Sequence, residues 1–249
     1  MIVLAGIFAL ISAVSAIAPA RASALPYDLP AGAVVIESRT VPGQKGNRTI
    51  VVWQLKARKY PLEYGPEEYT CPDETRGSYS RGQTRVSLVD TQANRIINTV
   101  LIKEDPKEDA FDIPYKVRGS YYEVKGVAKG AEGKPTIIAF KDYNGDGKAL
   151  EFALFDAAAC MGLQTTLIGY SVRQDRVIQY PILLSVREGG RRSREVTNWI
   201  DYLFSKQAQP PGNWKYEIDY RGRGGTLDQY TIHYNIKLER FEGTRASTP

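Results

Sequence analysis

Apolar and polar residues alternate along most of this chain in short runs rich in Val, Ile, Tyr, Phe and Thr. Clusters of Gly, Pro, Asn and Asp separate the runs. Period-two alternation bounded by turn formers predicts strands, here over residues 34–41, 49–56, 85–90, 96–103, 121–127, 136–140, 151–155, 166–172, 177–185, 215–220 and 230–240. One segment departs from that period. In residues 195–206, EVTNWIDYLFSK, the residues Val196, Trp199, Ile200 and Leu203 fall at helical spacing, which predicts a short amphipathic helix ending before Pro210-Pro211-Gly212. The expected fold class is mainly β, an antiparallel β-sandwich or propeller-like array with that one helix.

Two pairs of stretches look alike. GNRTIVVW from Gly46 parallels GKPTIIAF from Gly133, and NRIINTVLI from Asn94 parallels DRVIQYPILL from Asp175. Both members of the second pair, NRIINTVLI and DRVIQYPILL, read as the return strand of a hairpin after a polar turn. A duplicated β-unit, about residues 46–104 and 133–187, is one reading; shared β composition is the other. Residues 60–82 are too polar and too rich in Gly and Pro to read as a strand, so they are expected to form a long loop.

The N-terminus changes the picture of where the chain works. Residues 1–20 carry no charged side chain, 2–17 are almost continuously apolar, and Ala22-Ser23-Ala24 has the small-residue form of a cleavage site. This predicts a secretory signal over 1–24, cut after Ala24, and a single β-rich domain over 25–249; an uncleaved anchor is the alternative. The protein is therefore expected to be secreted or periplasmic, with no stable membrane anchor once the signal is cleaved. In an oxidising compartment the two cysteines, Cys71 and Cys160, either pair or stay as separate buried thiols.

Charge and residue counts then exclude several function classes. With 33 Lys+Arg against 28 Asp+Glu the chain carries a formal charge of +5, and its one basic run, residues 187–194 (REGGRRSR), is short and broken by glycine. A nucleic-acid partner is not expected, and that run reads as a solvated loop. A single histidine, His233, excludes sites that need two. It lies in YTIHYNIKL, where alternation puts Tyr230, Ile232, Tyr234 and Ile236 on one face and His233 on the polar one.

The segment with the most specific chemistry is KDYNGDGKALEFALFD, which follows residues 136–140. Asp142, Asn144 and Asp146 alternate and Gly147 follows, a spacing that lets one bend present several oxygens to a hard cation. It resembles the Asp-rich calcium loops of EF-hand and dockerin segments, and more closely the strand-loop-strand loops of FG-GAP/VCBS repeats in β-propellers. The resemblance covers about 20 residues and implies a structural calcium ion held by Asp142, Asn144, Asp146, the carbonyl of Lys148, and Glu151. It is incomplete: Leu150 and Ala153 stand where such loops carry further ligands. Glu151 reaches the loop only if the pleat turns it that way. Binding of the weak, ~10⁻⁴ to 10⁻³ M class is implied. The competing reading is a metal-free turn in which Asn144-Gly145 or Asp146-Gly147 supplies the geometry.

Weaker candidates complete the reading. Glu104, Asp105, Glu108, Asp109 and Asp112 form an acidic stretch that could supply a carboxylate pair for glycoside cleavage or be solvated. Tyr60, Tyr64, Tyr69 and Tyr79, with Tyr121 and Tyr122, offer rings for a sugar or a peptide. The favoured expectation is a non-catalytic binding or structural protein with an extracellular ligand, carbohydrate or protein. The alternatives are a carboxylate-dependent hydrolase and an inhibitor or partner-binding protein using residues 60–82.

Overall fold

The computed structural model describes residues 26–44, 47–61, 78–104, 107, 110–114, 123–124, 135–156, 162–206, 208 and 210–249. The expected leader, Cys71 and Cys160 lie outside them. The chain is mainly β, as its alternation predicts, and among the described residues the strands lie in three sheets and a short ribbon.

The first sheet runs β1 (Val34–Thr40), β2 (Arg48–Pro61), β3 (Ser78–Asp90), β4 (Arg95–Leu101), with β5 (Phe111–Pro114) also paired to β3. All its pairs are antiparallel. Residues 50–53 are buried on both faces. Ile50, Val52, Val86 and Leu88 face the main core, and Val51, Trp53 and Val89 pack with Leu29 and Ala33 on the other side. The Trp53 Nε1–H donates to Ser87 Oγ at 2.8 Å, so its polar edge is satisfied inside. The long strands β2 and β3 take in both ends of the expected 60–82 loop, pairing Tyr60 with Tyr79 and Pro61 with Ser78. Pairing extends there because β2 continues past a bulge at Lys56, whose φ is +53°.

A two-stranded ribbon, β6 (Glu123–Val124) with β7 (Pro135–Thr136), precedes the second sheet. The expected strand 136–140 is thus confined to its first residue. In that sheet β9 (Gln164–Ser171) is central. β8 (Glu151–Asp156) lies on one edge, and β10 (Arg176–Gln179) and β13 (Ile200–Asp201) share the other. The third sheet has the order β12 (Arg191–Thr197), β11 (Ile182–Glu188), β16 (Arg240–Thr248), β15 (Leu227–Asn235), β14 (Asn213–Asp219), with β11 and β16 parallel.

The helix expected over 195–206 is not there. Arg191–Thr197 is strand β12, Ile200–Asp201 is β13, and only Leu203–Ser205 turns, as one turn of 3-10 helix. Gly189 and Gly190, both at positive φ, close a hairpin that lays β12 along β11 residue for residue. That ladder satisfies the backbone with β-branched Val196 and Thr197 in place, and a twelve-residue helix has little intrinsic stability to set against it. Ile200 and Leu203 are buried as expected, but Val196 is 71% exposed.

One core joins the sheets. Phe241 of β16 is fully buried and packs its ring against Tyr180, Phe204, Trp214 and Tyr234. The first and second sheets are tied by Arg48, which donates to Asp175 at 2.9 and 2.7 Å and to Asp90 at 3.0 Å. Asn98 adds a reciprocal pair: its Nδ2 donates to the Val177 carbonyl at 2.8 Å and its Oδ1 accepts from the Val177 N–H at 2.9 Å. A side chain here does the work of a strand neighbour.

Candidate functional site

The Asp-rich loop is closed at its base by a bridge between Lys141 and Glu151, with the Lys141 N–H donating to the Glu151 carbonyl at 2.8 Å. Within it, each short polar side chain turns back on the chain. Asp142 accepts from the N–H groups of Gly145 and Gly147 at 2.7 and 2.9 Å, one on each carboxylate oxygen. Asn144 Oδ1 accepts from the Asp146 N–H at 2.9 Å, and Asp146 from the Lys148 N–H at 2.9 Å. These side chains supply the acceptors that an irregular bend otherwise lacks.

Gly145, at φ +78°, is required for two reasons. Besides the backbone angle, a Cβ there would stand 2.6 Å from the Pro211 carbonyl oxygen. Gly212 returns the contact against the Asn144 carbonyl at 2.5 Å, so the Pro210-Pro211-Gly212 turn and the Asp-rich bend are seated on each other.

Glu151 does reach the loop, and more deeply than its strand position suggests. It is fully buried. Its Oε2 accepts from the Tyr143 N–H at 3.1 Å, and its Oε1 from Asn144 Nδ2 at 3.0 Å and from the Tyr180 hydroxyl at 3.4 Å. Burial, opposed by the Tyr143 N–H and reinforced by the nearby charges of Asp146 and Asp142, pushes its carboxyl up to about 8. Room for it comes from Gly169 on β9, where any Cβ would meet Glu151 Cγ at 2.9 Å. Nothing in the sequence pattern marks Gly169 or Tyr180 as partners of this loop.

The expected metal ligands Asp142, Asn144, Asp146, Lys148 and Glu151 are neighbours in and beneath one bend. Among the described residues, no group of three or more His, Cys, Asp or Glu side chains is placed to hold a metal ion. Asp142 faces a cleft of about 410 Å³, walled by Tyr143, Phe155, Phe204, Pro211 and Trp214 with Lys141 and Lys206 among its polar lining. Asn144 and Asp146 face a separate hollow of about 160 Å³ with Tyr180, Tyr234 and Glu239. Lys148 contributes its N–H to Asp146 and its carbonyl to the Leu150 N–H. The donor types suit a hard cation, and as folded the side-chain oxygens of Asp142, Asn144 and Asp146 also accept backbone N–H groups of the loop.

The other candidates stay apart from this loop. His233 is exposed on the outer face of the third sheet, as alternation predicts. Ile236, expected on the inner face of the same strand, is 64% exposed because β15 ends at Asn235. In the acidic stretch Asp112 lies in β5 opposite Arg81, Glu104 precedes it, and Asp105, Glu108 and Asp109 lie outside the described residues, as do Tyr64, Tyr69, Tyr121 and Tyr122. Compared with known proteins, the chain matches no family model, no curated protein and no solved structure.

Proposed function

We propose that this is a non-catalytic, β-rich binding or structural protein that works outside the cytoplasm, secreted or periplasmic. In this reading the 142–151 loop is a brace, and the cleft it walls holds an extracellular ligand. The observation that carries the reading is the inward engagement of the loop's polar groups. Asp142 is held by two backbone N–H groups and Glu151 lies sealed beneath Tyr143 and Asn144. Groups held this way fix a wall in place; a general acid or base needs its carboxyl turned to a reacting atom. The cleft has the size and the aromatic lining of a small-ligand site, which favours a carbohydrate over a protein surface. Calcium has a secondary part, a weak ion adding to a bend already closed by its own hydrogen bonds.

The test is thermal unfolding of the native protein and of Asp142→Ala/Asp146→Ala, each in chelator and in millimolar calcium. The double variant should melt lower even in chelator, because three backbone N–H bonds lose their acceptors. A rise with calcium in the native protein alone would show the ion's contribution. Equal melting of the two proteins in chelator would refute the brace.

A further inference from the structure

The hairpin formed by β11 and β12 carries an unusual concentration of positive charge on one face. In the antiparallel register Arg187 stands opposite Arg192, and Ser185 opposite Arg194. Ile182, Leu184 and Val186 alternate into the core, so Arg187, Arg192 and Arg194 share the outer face with Ser185. None of the three guanidinium groups makes an ion pair or hydrogen bond with any described residue.

The nearest carboxylates do not neutralise them. Glu188 and Glu195 fall on the opposite face by alternation, and Glu195 lies 3.9 Å from Arg245. On the adjoining strand β16 the outer-face carboxylate is Glu242, which Arg240 holds at 2.5 Å. Charge along an edge strand is a common defence against unwanted pairing, and that would account for arginine somewhere in β12. It does not account for two like charges directly across a ladder, an arrangement that costs stability. Between these side chains lies a hollow of about 380 Å³ lined by Ser185, Val186, Arg187, Arg192, Ser193 and Arg194.

We propose that this hollow is a binding site for a phosphate monoester group, gripped by Arg187, Arg192 and Arg194 with Ser185 at its edge. Guanidinium forks match the oxygens of such a group two at a time, and serine hydroxyls can supply a further donor. A monoester near neutral pH carries close to two negative charges, which three otherwise uncompensated cations more than balance. The site is remote in sequence from the 142–151 loop and does not depend on the function proposed for it.

Inorganic phosphate is the probe, followed by titration calorimetry with chloride as the control anion. Saturable phosphate binding is expected, weakened roughly tenfold or more in each of Arg187→Gln, Arg192→Gln and Arg194→Gln, the loss of a charge-assisted hydrogen bond. Lys215→Gln, on the same outer face but outside the hollow, should bind as the native protein does. Arg187→Gln and Arg192→Gln should melt at or slightly above the native temperature, since the like-charge pair across the ladder is relieved, and Arg194→Gln, opposite Ser185, should melt as the native protein does. If one fails to fold, its Arg→Lys counterpart, which keeps the charge and loses the fork, takes its place and should still bind more weakly. Co-sedimentation with phosphatidylcholine vesicles containing phosphatidic acid separates the sources. Tighter binding than to free phosphate identifies a lipid headgroup, and no gain identifies a soluble ester. Absence of saturable phosphate binding, binding indifferent to the three substitutions, or capture of a single-stranded oligonucleotide alone would overturn the assignment.

Discussion

A carboxyl group closed off from water must be either compensated or neutral, and Glu151 sits between the two. Three donors converge on it, yet burial and the charges of Asp146 and Asp142 outweigh them and raise its value to about 8. Because the folded value lies above the ordinary 4.5, the contribution to stability is complete below about 4.5 and is lost as pH rises through about 8. In chelator, the melting temperature of the native protein should therefore fall between pH ~5 and ~8.5, by the equivalent of a few kcal/mol at most. Glu151→Gln should flatten that part of the profile. A native profile already flat over this range would show that the carboxyl is ionised in the fold. The same residue illustrates what spacing conveys. The alternation of Asp142, Asn144 and Asp146 announces a tight polar bend, but the choice between gripping an ion and gripping backbone N–H groups depends on where Pro211, Gly169 and Tyr180 stand.

At the scale of elements, two hairpins were readable where a polar turn separates two alternating runs, while those joining β11 to β12 and β15 to β16 were not. β3 with β4 and β9 with β10 both form, each with a non-glycine residue at positive φ, Asn94 or Asp175, just before the returning strand. Residues 195–206 misled because Val196, Trp199, Ile200 and Leu203 suit a helix by spacing, whereas the ladder offered by β11 decided the outcome. Contacts between elements were not readable at all. Arg48 lies far from Asp175 in sequence, and neither stands out among the other charged residues until the first and second sheets meet. This contact holds Asp175 below its ordinary 3.8, mainly through the hydrogen bond from Arg48, so its contribution is present above that value and is lost as the pH falls through the lower folded one. Arg48→Met should lower the melting temperature at neutral pH by roughly 2–4 °C, discounted for the partial exposure of Asp175. It should also remove part of the native protein's sensitivity to acid. An unchanged melting temperature would mean that the ion pair is worth no more than its solvation.

Over the whole molecule, the three sheets share one apolar cluster in which residues from all of them pack together. A core without internal boundaries unfolds as a unit. Phe241→Ala removes the ring that touches Tyr180, Phe204, Trp214 and Tyr234, and should cost about 3–5 kcal/mol. Denaturant unfolding followed by both tryptophan fluorescence and far-ultraviolet circular dichroism should give one coincident transition, shifted to lower denaturant in the variant. Two separated transitions would show that the sheets are independent. By itself the amino-acid order settled that this chain is built of strands, where most turns fall, which face of β15 is buried, and that residues 142–147 bend tightly, because period and turn chemistry are local properties. Tertiary structure decided that residues 191–197 pair instead of coil and that Glu151 is entombed beneath the loop. It also set three arginines together around a hollow on the outer face. The burial of Glu151 depends on which distant backbone arrives alongside, and no local pattern encodes that. The β11–β12 ladder and its arginines depend instead on a pairing across Gly189-Gly190 that backbone hydrogen bonding settled against the helical spacing of residues 195–206.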